Sequence, residues 1–273
     1  MRNGDLQVGL ARDMRKVPLV NLGTSGLKVS KLGFGTFDFG VPSLNISPEE
    51  GAHVLEEAHK LGVSFWDTSD DYGSHPHVAA ALRIVPRKDV VISTKTSAKT
   101  GKDAKKSLQT SLTELAIDYV DLFLLHFVKS GQIRNCRLIL RELADMKAAG
   151  VVRAIGLSTH SVAVVREASR FEDLDIIMTI CCNADQTVIK KFHEEIPLED
   201  GSIEEMFDAV KQARENGKGT IAIKVLGSSA PPLVEDYQSS IEFIDRSPFV
   251  DAMLVGMRNL DQVRKNVRAI LSG

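Results

Sequence analysis

The chain has 273 residues, a formal net charge of −2 and 43% hydrophobic residues, the make-up of an ordinary globular domain with a full core. No basic stripe stands out and no apolar run approaches the roughly 20 residues of a membrane span, which argues against nucleic acid and membrane as partners. The three cysteines, Cys136, Cys181 and Cys182, have neither zinc-like nor CxxC spacing. They read as reduced thiols, and no metal site is expected.

Met1 to Lys16 mixes Arg, Asp, Gly and Gln without a continuous apolar stretch. It is expected to be a flexible tail rather than a signal peptide, which places the protein in the cytoplasm. Val17–Ser30 reads as a short hairpin turning at Gly23-Thr24-Ser25-Gly26, placed to plug whatever follows.

The first main strand is expected at Lys31–Thr36. Ser47-Pro48-Glu49-Glu50 then opens a helix with an N-cap, a proline at N1 and a glutamate at N3, over Val54, Leu55, Ala58 and Leu61 at helical spacing. The second strand, Ser64–Thr68, carries Asp67 at its end, and the turn Ser69-Asp70-Asp71-Tyr72-Gly73 carries Tyr72. Trp66, just before a rim residue, is expected in the core. His75-Pro76-His77 lacks carboxylate or thiolate company for a metal and is expected to be solvent-exposed. A weaker helix follows near His77–Leu82.

The third strand, Asp89–Lys95, ends in Lys95. The basic run of Lys99, Lys102, Lys105 and Lys106 reads as a solvated helix start, and Leu108, Leu112 and Leu115 mark that helix. The fourth strand, Val120–His126, ends in His126. Ile139, Leu143 and Met146 mark the next helix, which stops at Gly150. Strands at Val152–Thr159, Asp175–Cys182, Gly219–Gly227 and Asp251–Met257 follow. Helices are expected between them near Ser161–Ser169, after the Ser202/Glu205 cap, and near Glu235–Asp245. A last helix follows an Asn259/Gln262 cap over Val263, Val267 and Ile270. Lys190-Lys191 and Glu194-Glu195 read as a solvated face.

Most strands are continuous apolar runs, as for strands buried on both faces. Eight βα units in about 240 residues predict a single (β/α)8 TIM barrel spanning residues 1–273, with residues 1–16 as its tail. A doubly wound open sheet is the alternative, weakened because no GxGxxG follows the first strand.

In a barrel, Asp67, Tyr72, Lys95 and His126 would converge on the C-terminal mouth. A Lys95 ammonium would favour the phenolate of Tyr72 and lower its pKa, Asp67 would hold Lys95, and His126 could hydrogen-bond a carbonyl. The set makes a general acid for an oxygen that becomes an alkoxide. It supplies no electrons, so a bound hydride donor is the complement.

These segments resemble the aldo-keto reductase family along nearly the whole chain, from about Val17 to Leu271. The resemblance is carried by the entry Leu22-Gly23-Thr24-Ser25-Gly26 through Leu32-Gly33-Phe34-Gly35-Thr36. Trp66-Asp67-Thr68 with Asp71-Tyr72-Gly73, Ser93-Thr94-Lys95, and Asp118-Tyr119-Val120-Asp121-Leu122 running into Leu124-Leu125-His126 carry it further. It implies reduction of aldehydes and ketones with NADPH, NADH being possible, and a small-molecule carbonyl as partner. It makes Tyr72 the proton donor, with Asp67, Lys95 and His126 completing the catalytic set.

By position, the resemblance assigns cofactor contacts to Gly35 and Thr36 near the nicotinamide ribose, to Ser158 and Thr159 at the carboxamide, and to Leu226, Gly227 and Ser228 at the pyrophosphate. It assigns Gly256, Arg258, Gln262 and Asn266 to the adenosine end, where Arg258 could meet a 2′-phosphate. His160 reads equally as a first-turn helix residue or as facing the cofactor.

Three departures stand out. Thr159 replaces the usual Asn, and Met178-Thr179-Ile180-Cys181-Cys182-Asn183 lacks the family's carboxamide Gln. Lys265 stands where Glu or Gln is common. The chain stops with the eighth helix, which predicts an open mouth. These departures keep alive a second reading, a nucleotide-binding regulatory or scaffold protein on the same barrel with little turnover. The intact quartet argues against it.

Overall fold

The computed structural model describes residues 15–182, 198–226 and 237–272. A two-stranded antiparallel hairpin comes first, β1 (Leu19–Asn21) against β2 (Lys28–Ser30). Eight parallel strands then close into a barrel: β3 (Leu32–Gly35), β4 (Phe65–Asp67), β5 (Val91–Thr96), β6 (Val120–Leu125), β7 (Val152–Thr159), β8 (Ile176–Ile180), β9 (Gly219–Ile223) and β10 (Ala252–Gly256). Each pairs with its neighbours in chain order, and β10 closes on β3 with Gly256 opposite Gly35. Around the sheet run α1 (Pro48–Lys60), α2 (His75–Ala81), α3 (Gly101–Leu115), α4 (Ile133–Ala148), α5 (Val162–Ala168), α6 (Ile203–Glu215), α7 (Tyr237–Asp245) and α8 (Leu260–Ser272). This is a (β/α)8 TIM barrel.

The twofold alternation of each strand makes two cores from one apolar run. Phe65, Leu122, Leu124, Ile176, Met178, Ile221 and Leu254 fill the barrel interior. Their neighbours Trp66, Phe123 and Ile177 face outward onto the helices, among Leu55, Leu108 and Leu140. Trp66 is fully buried, as expected.

Helix starts follow the caps written in the sequence. Ser47 accepts from Glu50 N while the Glu50 carboxylate accepts from Ser47 N, and Ser202 with Glu205 repeats the arrangement. Asn259 Oδ1 accepts from Gln262 N at the head of α8.

The hairpin closes the N-terminal end of the barrel. Leu22, Leu27 and Val29 join the interior core, completing a floor that the short strands leave open. Gly23 N donates to Asp251 Oδ2 at 2.9 Å and Thr24 N to the Gly217 carbonyl at 2.9 Å, just before β10 and β9 begin. Gly23 has φ +54° and lies against the Lys218–Gly219 backbone, where a Cβ would have no room.

Two sequence expectations need correction. The seventh barrel strand ends at Ile223 rather than Gly227, because Lys224 takes φ +60°, which an extended strand cannot continue. His75 and His77 are buried rather than solvent-exposed, in the first turn of α2. His75 Nδ1 lies 2.6 Å from Glu114 Oε2 and its Nε2 3.0 Å from Thr94 Oγ1. His77 Nε2 donates to the Ile46 carbonyl at 2.8 Å. His75 packs inside with both nitrogens partnered, whereas His77 is held through Nε2 alone and its Nδ1 is buried without a partner among the described residues. Lys190-Lys191 and Glu194-Glu195 lie outside the described residues.

Candidate active site

A cavity of 470 Å³ opens at the C-terminal ends of the strands, where active sites of this fold lie. Asp67, Tyr72, Lys95 and His126 all line it. Asp67 is the last residue of β4 and Lys95 the penultimate residue of β5, while His126 directly follows β6. Tyr72 is carried by the turn after β4.

Lys95 is almost fully buried and uses all three of its donors. It reaches Asp67 Oδ2 at 2.7 Å, the Thr68 carbonyl at 2.6 Å and Tyr72 Oη at 3.5 Å. Burial alone would push its pKa down. Asp67 and Tyr72 outweigh that and hold the ammonium above its ordinary range. Tyr72 shows the reverse balance and corrects the sequence expectation. Burial pushes the phenol up by more than Lys95 pulls it down, and Asp67 and Asp71 add to the rise. The phenol therefore keeps its proton at neutral pH.

His126 Nδ1 lies 3.2 Å from Ser69 Oγ and 3.3 Å from Asp71 Oδ2. The hydrogen bond from His126 draws the Asp71 carboxyl down to about 2, so Asp71 is an acceptor across the physiological range. An Nδ1–H donating to it leaves Nε2 with the free lone pair. The Tyr72 ring is held edge-on between Phe37 at 5.1 Å and His126 at 5.6 Å.

Of the residues assigned to a cofactor by position, Gly35, Ser158, Leu226, Gly256, Arg258 and Gln262 line the same cavity. Thr36, Thr159 and Asn266 are buried off its wall. Thr36 Oγ1 donates to the Asp67 carbonyl at 2.9 Å and shares a hydrogen bond with Ser74. Thr159 Oγ1 donates to the Val128 carbonyl at 2.7 Å and accepts from Ser161 N at 3.0 Å. Both hydroxyls therefore tie one βα loop to another. Gly227 and Ser228 lie outside the described residues.

Ser158 Oγ accepts from Phe127 N at 3.0 Å, which leaves its own proton for a ligand. Asp67 Oδ1 is buried without a hydrogen-bond partner. Arg258 Nη2 donates to Asp38 Oδ1 at 3.1 Å, and Gln262 Oε1 accepts from Arg258 N at 2.7 Å.

Sequence reading missed Asp38, Lys224, Phe37 and Phe127 on this wall. Lys224 carried a usable signal. It interrupts Ile221-Ala222-Ile223 and Val225-Leu226 at a strand end, as Lys95 interrupts its own apolar run. His160 also lines the cavity, stacked edge-on against Phe127 at 4.6 Å.

A family model described as the aldo/keto reductase family matches residues 31–232. The chain belongs to this family. The aldo/keto reductase assignment makes it an oxidoreductase, of a family that works with NAD(P)H. It is 27% identical to an L-galactose dehydrogenase of Arabidopsis thaliana, over 94% of this chain and 89% of that protein. It is 26% identical to an NADH-specific methylglyoxal reductase of Escherichia coli (strain K12), over 94% of each. Among solved structures, an aldo-keto reductase of Pseudomonas aeruginosa superposes with a TM-score of 0.77 at 26% identity, over 93% of this chain and 95% of that one. No helix among the described residues is long and apolar enough to cross a membrane.

Proposed function

We propose that this protein reduces aldehydes and ketones to alcohols, with Tyr72 delivering the proton. The observation that carries the reading is the Asp67–Lys95–Tyr72 chain, buried at one side of the mouth with the phenol held protonated. Nicotinamide, when bound, supplies the hydride. The Tyr72 hydroxyl hydrogen-bonds the carbonyl oxygen and gives up its proton as negative charge develops there. The Lys95 ammonium at 3.5 Å stabilises the phenolate that remains, and Asp67 fixes that ammonium. His126, its ring oriented by Asp71 and set edge-on to Tyr72, shapes the wall against which the substrate carbonyl lies beside the phenol.

The residues present suit a nicotinamide dinucleotide. Ser158 has a hydroxyl proton to offer a carboxamide oxygen, and Asp67 Oδ1 needs a donor such as a ribose hydroxyl. At Gly256 a Cβ would stand 3.1 Å from Asp38 Oδ2 and crowd the carboxylate that holds Arg258. Arg258 supports NADPH, its guanidinium being suited to a 2′-phosphate. NADH is the second reading. The Asp38 carboxylate already holds Arg258 and would oppose a phosphate beside it. The cytoplasm remains the proposed location and one barrel domain the proposed organisation.

Tyr72→Phe is expected to lower kcat/KM for aldehydes by about 10²- to 10⁴-fold. NADPH binding, followed by nucleotide fluorescence, is expected to persist. Full turnover in that variant would remove Tyr72 from its role. Nucleotide binding by the wild type without oxidation across an aldehyde panel would favour the scaffold reading.

A further inference from the structure

Behind the quartet lies a set of buried hydroxyls to which proton delivery, as described so far, gives no part. Ser74 is fully buried and stands at the N-cap of α2, yet its side chain caps no helix amide. Its Oγ lies instead 2.8 Å from Thr36 Oγ1, after β3, and 2.8 Å from Thr68 Oγ1, after β4. Both threonines are fully buried as well.

Counting protons gives these contacts one direction. A hydroxyl has a single proton to donate. Thr36 Oγ1 gives its proton to the Asp67 carbonyl at 2.9 Å, which can only accept. Ser74 must therefore donate to Thr36, and Thr68 to Ser74. The hydrogen bonds run unbroken from Thr68 through Ser74 and Thr36 to the backbone of Asp67. The Thr68 carbonyl in turn accepts from Lys95 Nζ at 2.6 Å. The next residue adds a third strand, with His75 Nε2 3.0 Å from Thr94 Oγ1, beside Lys95 on β5. Ser74 and His75 thus fasten the start of α2 to β3, β4 and β5 near the mouth.

Tyr72 stands two residues before Ser74, across Gly73 with its φ of +66°. Its Oη lies 3.5 Å from Lys95 Nζ, at the outer limit of a hydrogen bond, so the contact has no slack. Asp67 and the Thr68 carbonyl set the ammonium, and the turn that Ser74 closes sets the phenol.

We propose that Ser74 is a positioning residue for proton transfer, holding the turn that carries Tyr72 in register with the strand ends that fix Lys95. The inference rests on the carbonyl-reductase reading and adds a residue to it. Without the Ser74 hydroxyl, the Thr68 proton is left buried without its acceptor, and the segment from Asp67 to Tyr72 shifts to find another. Lys95 and Tyr72 then separate, although neither has been changed.

The test is steady-state reduction of butanal with NADPH by wild type, Ser74→Ala, Thr68→Val and Thr68→Ser. Ser74→Ala and Thr68→Val are each expected to lower kcat about tenfold or more, with KM for butanal and Kd for NADPH within about twofold of wild type. Thr68→Ser, which keeps the hydroxyl, is expected to recover most of the loss seen in Thr68→Val. The double variant Ser74→Ala/Thr68→Val is expected to be no slower than the slower single, because both remove one bond. If Ser74→Ala does not fold, Thr68→Val, nearly the same shape as the native side chain, tests the same bond. A kcat within twofold of wild type in Thr68→Val overturns the inference, as does a lowered Tm with unchanged kcat or a Thr68→Ser as slow as Thr68→Val.

If the wild type reduces no aldehyde, the reductase reading falls, and the clamp is read from amide hydrogen exchange alone. The amides of Asp70 and Tyr72, which donate to the Lys95 and Ser69 carbonyls, are expected to exchange about tenfold faster in Thr68→Val than in wild type. Unchanged exchange there overturns the clamp whatever the activity.

Discussion

His160 shows how much a single side chain owes to its surroundings. Packed edge-on to Phe127 and facing Lys224, its pKa is lowered to about 4, first by burial and then by the positive charge nearby. The folded value thus lies below that of the unfolded chain, about 6.5. Between those two values the unfolded chain binds the proton and the native chain does not, so stability falls as pH drops through this window and is flat above it. Proton NMR is expected to show a neutral His160 at pH 6 with a midpoint near 4, and His160→Asn is expected to flatten the acid limb of a Tm-against-pH profile between about 6.5 and 4. A midpoint above 6 would contradict the burial argument. The three thiols follow the same logic, since burial pushes Cys136 and Cys182 up to about 12 and Cys181 higher still. All three are free and buried.

At the scale of elements, the loop after β3 and the turn after β4 lean on each other. Gly40 follows the short 3₁₀ turn Phe37–Phe39 and abuts the Tyr72 carbonyl so closely that a Cβ would overlap it. Its φ of −85° is open to any residue, so the constraint is contact rather than backbone conformation. Gly40→Ala is expected to push Tyr72 from its place beside Lys95 and to lower kcat about tenfold or more. Nucleotide binding and Tm should change far less, because the barrel strands are untouched; a kcat within twofold of wild type would show that the loop accommodates the methyl.

The strands themselves were readable because apolar runs of four to eight residues have few other uses in a chain of this composition. The quartet was readable because a charge at the end of such a run has no bland explanation when it recurs on successive strands. Thr36 and Thr159 were not, since a hydroxyl at a strand end serves a carbonyl as readily as a ligand, and spacing does not say which. Nor was the burial of His75 and His77, which depends on Glu114, Thr94 and Ile46, residues distant in sequence. The direction of the Tyr72 shift was also beyond sequence, because it turns on the depth of burial rather than on which residues are neighbours.

On the scale of the whole molecule, the two ends of the barrel divide labour. The hairpin seals one end through Leu22, Leu27 and Val29, and the chemistry gathers at the other. Leu22 is fully buried, so Leu22→Ala is expected to cost about 2–5 kcal/mol and lower Tm accordingly. KM for an aldehyde should be unchanged, since the interior core lies between the floor and the mouth. A changed KM with an unchanged Tm would deny this separation.

Among the described residues, four other than glycine adopt left-handed backbone: Asn45, Ala116, Phe127 and Lys224. Two of them, Phe127 and Lys224, border the cavity. A side chain with a Cβ gives up roughly 1–2 kcal/mol in that conformation relative to glycine. The mouth is therefore the place where a thermostabilisation campaign would find its easiest gains, by trading Lys224 for glycine or asparagine. Those gains would remove a cationic side chain from the cavity wall, and a library ranked on melting temperature alone would discard it without any sign of loss.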